Sequence, residues 1–192
     1  AALAAHEQGV EVMILERDDK PRGNTSLSGG QIPAGGSKMQ EAAGIKDSAD
    51  ILYKDILAKA KNECDHELAR HVANESAKTV DWLVDRYKLP LSCISDFTYP
   101  GHTVPHMHAS PSRFGAELLA VFLQAIANEG IDIATSAHVT DLFSDIDGRV
   151  RGVRITRPDG KHEDVGCEAL VLACNGYGGN KELLQRYIPE IV

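Results

Sequence analysis

One stretch of this sequence, residues 10–36, constrains the fold more than any other. Residues 10–15 form an apolar run of long or β-branched side chains, interrupted by a single glutamate and preceded by Gly9. Such a run predicts a buried parallel strand. The polar loop that follows contains glycines that permit positive φ and close approach of the backbone. These glycines are Gly23, Gly29, Gly30, Gly35 and Gly36.

The predicted strand ends at an acidic residue, Glu16. In a Rossmann-type fold, an acidic side chain at the end of such a strand holds ribose hydroxyls. A carboxylate can accept hydrogen bonds from both the 2′- and the 3′-hydroxyl, whereas its charge repels a 2′-phosphate. Glu16 therefore predicts a dinucleotide site and favours FAD or NAD over NADP.

The loop after Glu16 offers short polar groups from Asn24, Thr25, Ser26 and Ser28. Successive exposed backbone N–H groups in such a loop can form a concave anion-binding surface. The alternative interpretation is a flexible Gly/Ser linker. The strand and the acidic residue directly upstream favour the cofactor site over the linker.

Glu16-Arg17 and the segment 23–30, GNTSLSGG, resemble the flavoprotein subunit family of fumarate reductase and succinate dehydrogenase. That family includes 3-ketosteroid dehydrogenases, and L-aspartate oxidase is related to it. Its second strand ends in Glu, and a G-N-(S/T)-x-x-(S/A)-G-G loop passes beside the FAD. The resemblance implies FAD as cofactor, with Glu16 on the adenosine ribose and residues 24–30 along the flavin and pyrophosphate. The implied contacts in this part of the chain are Glu16, Arg17, Gly23, Asn24, Thr25, Ser26, Ser28, Gly29 and Gly30.

Length, charge and cysteine use exclude several other classes. A chain of 192 residues suits one domain, and a net charge of −8 without a basic block argues against nucleic acid as a partner. No apolar run reaches membrane-spanning length. The four cysteines have neither zinc-site nor C-x-x-C spacing, which together with the absence of a signal peptide predicts a reducing, cytoplasmic location. These cysteines are Cys64, Cys93, Cys167 and Cys174.

Residues 1–9 have helical composition and end in a glycine stop signal. In a dinucleotide-binding fold this helix follows the first strand, so the strand and its G-x-G-x-x-G are expected before Ala1. We therefore expect residues 1–192 to be a partial FAD-binding domain, with a helical insertion at about 48–90 and a meander at about 139–165. The substrate-capping domain is expected to lie outside this chain.

Three longer helices are predicted after the loop. Ser48 is a candidate N-cap for residues 49–63, and Asp65 for residues 66–87. A broad apolar face predicts that the third helix, 112–129, packs deep in the core and stops at Gly130. The apolar residues that predict the inner face of the second helix are Leu68, Val72, Val80, Leu83 and Val84.

Residues 92–113 contain three prolines and a glycine before position 112, which predicts an irregular segment. His102, His106 and His108 cluster there with Tyr99 and Arg113. H-x-H spacing can chelate a metal, but no carboxylate or cysteine completes a ligand set nearby in the sequence. The segment also resembles, loosely, a His-containing, Pro-rich segment of the family. Polar contacts to substrate or cofactor and a merely exposed loop both remain open.

Residues 139–143, 149–157 and 162–165 predict three strands of a meander. Two Asp-Gly pairs, at 147–148 and 159–160, supply the turns. In the family that this chain resembles, the residue pair at the start of the first meander strand contacts adenine through its backbone. The resemblance assigns that place to His138 and Val139. The alternative interpretation is a valine that faces the core, and both can hold together.

Residues 169–173, ALVLA, predict another buried strand, followed by CNGYGGN. This segment resembles the A-T-G-G-(F/Y) pattern, in which the family's chain crosses back over the FAD. The resemblance implies cofactor contacts from Ala173, Asn175 and Gly176. Cys174 replaces the usual Thr and Asn175 the usual Gly. Asn180 is a candidate N-cap for a closing helix at 181–188.

Together these features predict an α/β fold with a Rossmann-like FAD/NAD(P)-binding parallel sheet, an antiparallel three-stranded meander and inserted helices. The implied function is an FAD-dependent oxidoreductase that moves hydride between flavin N5 and a C–C bond next to a carbonyl or carboxylate of a small molecule. The catalytic acid or base, commonly an Arg in the family's reductases, is expected outside this chain. An NAD-dependent Rossmann dehydrogenase and a non-catalytic flavoprotein module are the alternatives.

Overall fold

A computed structural model describes residues 1–191 of the chain. The chain divides into two compact units. The strand-rich unit contains residues 14–20 and the chain from Ile133 onward, and the helical unit contains Ala2–Met13 and Pro21–Asp132. The elements, in chain order, are α1 (Ala2–Glu7), β1 (Met13–Leu15), α2 (Gly23–Leu27), β2 (Ile32–Pro33), α3 (Lys38–Ala42), α4 (Ala49–Lys59), α5 (His66–Tyr87), β3 (Ser92–Cys93), β4 (Met107–Ala109), α6 (Gly115–Asn128), β5 (Asp132–Ala134), β6 (His138–Ser144), β7 (Val150–Thr156), β8 (His162–Gly166), α7 (Lys181–Tyr187) and a 3₁₀ turn (Pro189–Ile191).

The strand-rich unit confirms the predicted meander and the predicted parallel pairing. β6, β7 and β8 form an antiparallel sheet in that order, and β1 pairs with β5. Both Asp-Gly pairs lie in turns, where Gly148 and Gly160 have φ of +78° and +82°. The apolar side chains of this sheet gather into one core. Its buried members are Ala137, Val153 and Ile155, and Leu15, Ala134, Val139, Val165 and Leu170 pack against them.

Two segments that were predicted to be buried strands differ in the structure. One is a shorter strand that is not buried, and the other is not a strand. Of residues 10–15, only Met13–Leu15 is a strand, and none of the six is buried; Val10 and Met13 are 54% and 56% exposed. Residues 169–173 form no strand, and Val171 and Leu172 are 69% and 64% exposed. A strand needs neighbours to satisfy its backbone and cover its faces. Within residues 1–191, β1 has only β5 beside it, and residues 169–173 have no paired strand.

The helical unit confirms the predicted capping residues. Ser48 Oγ accepts a hydrogen bond from the Ile51 N–H at 3.3 Å, and an Asp65 carboxylate oxygen accepts one from the Leu68 N–H at 2.9 Å. α5 has the bounds that the sequence predicts, and Lys88 at φ +57° ends it. These caps act over three residues, which is why the sequence alone locates them.

The predicted inner face of α5 is partly wrong. Leu68 and Val72 are 60% and 45% exposed. The buried face is turned by about one residue toward small side chains, which let α4 pack closely on α5. Its residues are Ala69, Ala73, Val80, Leu83 and Tyr87.

α6 is shorter and more exposed than predicted. It runs from Gly115 to Asn128, and only Gly115, Leu118 and Ala125 are buried, so the prediction of a deep core helix is wrong for the described residues. Gly130, at φ +69°, follows the end of α6, as the sequence predicts. No described helix combines the length and apolarity that a membrane span requires.

Residues 92–113 are largely irregular, but they contain two short strands that the sequence did not predict. β4 lies between β2 and β3 in an antiparallel sheet, where His108 is opposite both Ile32 and Cys93. Strands of two or three residues are too short to produce a periodic signal. This small sheet places His106 and His108 inside the helical unit, where both are 0% exposed.

Candidate cofactor site

In the strand-rich unit, Glu16 directly follows β1. The Glu16 N–H donates to the Ala134 carbonyl at 2.9 Å, and the Glu16 carbonyl accepts from the Ala137 N–H at 2.9 Å. Its carboxylate is half-buried, and Oε1 accepts a hydrogen bond from the Asp18 N–H at 2.9 Å. Backbone hydrogen bonds to the last residue of β5 and to the residue just before β6 therefore fix Glu16 at the end of its strand.

The same hydrogen bonds bring Glu16 next to the start of β6. His138 and Val139 follow Ala137 directly, although 122 positions separate Glu16 and His138 in the sequence. Val139 packs against the sheet's core, which confirms the core interpretation, whereas His138 is exposed. Arg17 is also exposed and donates from Nε to Asp18 at 3.1 Å; this hydrogen bond raises the pKa of its guanidinium. The two segments that were predicted to hold adenosine are thus neighbours.

In the helical unit, the glycine-rich loop contains a turn of helix, α2, and the linker interpretation is wrong. Ser26 Oγ donates to the Gly23 carbonyl at 3.0 Å, and Ser28 Oγ donates to the Thr25 carbonyl at 2.8 Å. The Gly30 N–H in turn donates to Ser28 Oγ at 3.1 Å. Both serine hydroxyls therefore donate hydrogen bonds to backbone carbonyls of the loop itself. The exposed side chains of Asn24 and Thr25 are the loop's outward polar groups.

The loop packs against the start of α6 through glycine. Gly30 has φ +58°, and a Cβ on it would lie 2.9 Å from the Gly115 Cα. A Cβ on Gly115 would overlap the Thr25 carbonyl oxygen, and the Gly115 N–H donates to the Ser28 carbonyl at 2.8 Å. Gly23 and Gly36 also have positive φ, whereas Gly29 and Gly35 do not. Close backbone approach, which the sequence predicts, is a requirement at Gly30.

Residues 173–176 lie in the strand-rich unit without regular secondary structure. Ala173, Asn175 and Gly176 are exposed. Asn175 has φ +62°, in the left-handed region that glycine favours and asparagine tolerates. The resembled pattern has Gly at this position, so the backbone path fits that pattern despite the substitution. Asn180 caps α7 as predicted, with its side chain accepting from the Leu183 N–H at 3.1 Å.

His106 lies in a buried polar cluster of the helical unit. Its Nδ1 is 2.6 Å from an Asp47 carboxylate oxygen, and its Nε2 is 2.9 Å from an Asp55 carboxylate oxygen. Burial disfavours the cation, but these two hydrogen bonds outweigh it and raise the pKa of His106. Burial likewise opposes ionisation of Asp55, yet hydrogen bonds from Thr103 and His106 lower its pKa. The geometry is that of an imidazolium between two carboxylates.

His108 is buried in the opposite protonation state. Its Nδ1 lies 3.0 Å from the His106 carbonyl, which can only accept, so Nδ1 carries the proton. Its Nε2 lies 2.6 Å from Ser37 Oγ, which donates to it. Burial lowers the pKa of His108 and keeps the ring neutral.

His102 is half-buried, and its ring centroid is 4.9 Å from that of His106. Burial and the neighbouring His106 lower the pKa of His102. Arg113 lies apart from the histidines and makes two hydrogen bonds with Asp96, at 2.8 and 2.9 Å.

The exposed-loop interpretation is therefore wrong for His106 and His108. Their side chains are enclosed by protein and cannot contact a substrate or cofactor directly. Within residues 1–191, no group of three or more His, Cys, Asp or Glu side chains has the arrangement to hold a metal ion. The histidines instead organise the protein around them.

Sequence analysis missed the partners of these histidines. A search for ligands near residues 102–108 in the sequence does not reach Asp47 or Asp55, which lie 59 and 51 positions before His106. One signal was available, because Ser37 and Gln40 have the S-x-x-Q spacing of a capping box. The structure shows that box, with both reciprocal hydrogen bonds, at the start of α3.

A comparison with known families defines the class of protein. The FAD binding domain family matches residues 1–192, and the chain belongs to that family. FAD is therefore the cofactor of this domain, rather than the NAD of the alternative hypothesis. The donor set is consistent with this assignment, since it provides a carboxylate for ribose hydroxyls and a glycine-bearing loop that closely approaches its neighbour.

The chain is also similar to individual proteins. It is 30% identical, over its whole length, to the probable fumarate reductase Ifc3 of Shewanella frigidimarina, of which it covers 32%. A flavocytochrome c3 fumarate reductase in an open conformation matches 99% of the chain at 27% identity and a TM-score of 0.89, and 34% of that structure is covered. The 3-ketosteroid-Δ4-(5α)-dehydrogenase of Rhodococcus jostii RHA1, at 22% identity and a TM-score of 0.83, shares the fold over 98% of the chain and 45% of its own. The chain thus spans about a third of the fumarate reductases that it matches.

Proposed function

We propose that this chain is the FAD-binding part of an oxidoreductase of the fumarate reductase type. When bound, FAD supplies hydride chemistry at N5, toward a C–C bond next to a carbonyl or carboxylate. The strongest support within the structure is the juxtaposition of Glu16 with His138 and Val139, two segments far apart in the sequence that the resemblance assigns to adenosine. Membership of the FAD binding domain family supports the same cofactor.

The residues of this chain would bind and orient rather than transfer protons. Glu16 would accept hydrogen bonds from the ribose hydroxyls, and the backbone of His138 and Val139 would contact adenine. Residues 23–30 would follow the pyrophosphate and flavin, and Ala173, Asn175 and Gly176 would make the remaining contacts. We infer that the acid–base residue lies outside this chain, as the resemblance to the family implies.

The name of the Shewanella relative suggests a first substrate class, a small unsaturated carboxylate such as fumarate. The steroid dehydrogenase shares the fold, so a steroid enone is the comparison substrate. A reductant-coupled assay of the whole oxidoreductase on both compounds separates a carboxylate reductase from an enone enzyme. Flavin binding by that whole protein without turnover of either compound would favour the non-catalytic module. We also infer a reducing, cytoplasmic setting, because all four cysteines are free thiols.

A Glu16→Gln variant tests the cofactor assignment. Hydrogen bonds to a charged acceptor contribute about 1.5–3 kcal/mol, so the variant should bind FAD about 10- to 100-fold more weakly. Titration of flavin fluorescence measures the Kd. Glu11→Gln, which removes an exposed carboxylate five residues earlier, is the matched control and should leave the Kd unchanged. Equal FAD affinity for the Glu16 variant and the original protein would refute this role for Glu16.

A further inference from the structure

We propose that His106 is a positioning residue for FAD binding: as an imidazolium clamped between Asp47 and Asp55, it holds the segment that leads away from the glycine-rich loop. This inference rests on the proposed function, because residues 23–30 must belong to the FAD site. His106 does not touch the cofactor in this proposal. It acts through residues 32–37, which follow the loop directly.

The clamp requires a doubly protonated ring. Both partners of His106 are carboxylate oxygens, which accept hydrogen bonds, so each ring nitrogen must provide its own proton. The side chains of His106 and Asp47 are 0% exposed and that of Asp55 is 6% exposed, so water cannot replace a missing donor. The raised pKa of His106 agrees with this geometry.

Further donors contact the two carboxylates, mostly at the same oxygens that His106 contacts. The Thr103 N–H and Oγ1 donate to Asp55 at 2.6 and 3.0 Å. The Gln40 side-chain amide donates to Asp47 at 2.6 Å, and the Ser48 N–H donates to the other Asp47 oxygen at 2.7 Å. Each carboxylate is thus an acceptor for several donors, of which only His106 can lose its proton near neutral pH.

The other titratable groups around the clamp do not supply a competing cation. The rings of His102 and His108 have lowered pKa values, and burial raises the pKa of the Cys93 thiol. The positive charge of Lys59 lowers the pKa of His102 and so favours its neutral ring. The carboxylate of Asp81, on α5, raises the pKa of His108 but does not offset the effect of burial. His106 is therefore the cation that balances Asp47 and Asp55.

Four hydrogen bonds connect the clamp to the segment after the loop. The His106 carbonyl accepts from the Ala34 N–H at 2.9 Å. The Gln40 side chain, whose amide nitrogen holds Asp47, accepts through its oxygen from the Gly36 N–H at 2.8 Å and the Ser37 N–H at 2.9 Å. The fourth joins Ser37 Oγ to the ring of His108 at 2.6 Å.

Steric fit tightens this connection. A Cβ on Gly35 would lie 2.6 Å from the Ser48 carbonyl oxygen, so residue 35 packs directly against the start of α4. Only Gln31 separates Gly30 from β2, which pairs with β4 beside His106. A shift of the clamp would therefore move residues 32–37 and the end of the glycine-rich loop.

Loss of the His106 proton should open the clamp. One ring nitrogen would then present a lone pair to a carboxylate oxygen less than 3 Å away, and a buried carboxylate would lose a donor. If FAD binding favours the clamped arrangement, deprotonation and FAD binding oppose each other, and linkage makes the effect reciprocal. FAD affinity should fall by at least about fivefold as pH rises through the titration of His106, within the usual range of such couplings.

Two measurements on the purified protein test this inference. Long-range ¹H–¹⁵N correlation spectra of the histidine rings, assigned with a His106→Gln variant, report the protonation of each nitrogen. We expect two protonated nitrogens for His106 at pH 7 and a neutral ring with a proton on Nδ1 for His108. FAD titrations at several pH values should show affinity falling along the His106 titration curve. His106→Gln should lose this pH dependence, whereas the exposed His71→Gln control should keep it.

The possible failures are distinguishable. A neutral His106 ring at pH 7 overturns the clamp, and so does an FAD Kd that stays constant through the His106 titration. In the second case the proposed function stands, since FAD still binds. A protein that binds no FAD at any pH overturns the proposed function and with it the role of the clamp. If His106→Gln does not fold, the pH series on the unchanged protein still decides between these outcomes.

Discussion

The two units of this protein pair opposite charges in opposite environments. On the meander, Arg154 meets Asp164 through two hydrogen bonds of 2.8 and 2.9 Å, with both side chains more than a third exposed. In the helical unit, His106 meets two carboxylates at similar distances with almost no exposure. Distance alone therefore does not determine what an ion pair contributes. Water screens the first pair and is excluded from the second.

This comparison explains why loss of the exposed Arg154–Asp164 pair should change stability little, whereas loss of the buried His106 cluster should change it strongly. An exposed pair that loses a partner is solvated at once, so little free energy changes. A buried carboxylate that loses its donor has no replacement, because its site excludes water. The buried cluster therefore makes residues 32–37 depend on the charge of a single side chain.

The largest expected effect is on stability after His106→Leu. This change leaves Asp47 and Asp55 facing an apolar side chain, and breaking a buried pair in this way costs about 3–5 kcal/mol. Denaturant unfolding followed by circular dichroism measures the change in the free energy of unfolding. His71→Leu, on the exposed face of α5, should change it by less than about 0.5 kcal/mol. Similar losses of unfolding free energy in both variants would show that burial does not determine the cost of replacing a histidine.

A second prediction uses the opposite pKa directions of His106 and His108. The pKa of His106 is raised in the fold, so its stabilising contribution is full below the ordinary histidine pKa of about 6.5 and is lost as pH rises through the raised value. The pKa of His108 is lowered, so its contribution is full above about 6.5 and is lost as pH falls. The two buried histidines should therefore limit stability from opposite sides.

The measurement compares the free energy of unfolding with pH for the unchanged protein, His106→Gln and His108→Gln. The difference caused by His106→Gln should shrink toward alkaline pH, and the difference caused by His108→Gln should shrink toward acid pH. Parallel curves for the two variants would show that both rings are buried in the same protonation state. The lowered pKa of Asp55 adds a loss at lower pH, as that carboxylate takes up a proton.

Some parts of this structure could be predicted from sequence because short-range geometry determines them. Asp65 caps α5 through a bond to Leu68, three residues away, and the Asp-Gly pair at 147–148 forms its turn locally. The meander follows from such Asp-Gly turns between short strand segments. The buried cluster could not be predicted in this way, because His106 and Asp47 are 59 positions apart in the sequence and meet only through tertiary packing.

The candidate site likewise has parts that the sequence predicts and parts that it does not. A resemblance in residues 16–30 was sufficient to identify the cofactor class, and the contact between Glu16 and the start of β6 agrees with it. The helical turn α2 and the ordinary φ of Gly29 were not predicted, because the loop's conformation depends on packing against Gly115 in α6. Residues 10–15 and 169–173 are less buried than predicted. Their apolar composition indicates that a strand there needs neighbouring elements to bury it, but it does not identify those elements.

The smallest change in stability is expected for substitution of Arg154, in contrast to substitution of His106. Replacing Arg154 or Asp164 with Ala should leave stability almost unchanged, because water solvates whichever partner remains. A double-mutant cycle isolates the coupling between the two side chains, and this coupling should approach zero as salt is raised. Both side chains point from adjacent strands at paired positions, so a modest contribution at low salt is compatible with cross-strand pairing. A large coupling that persists in high salt would mean that the meander pair is shielded from water, and the distinction drawn between the two units would then fail.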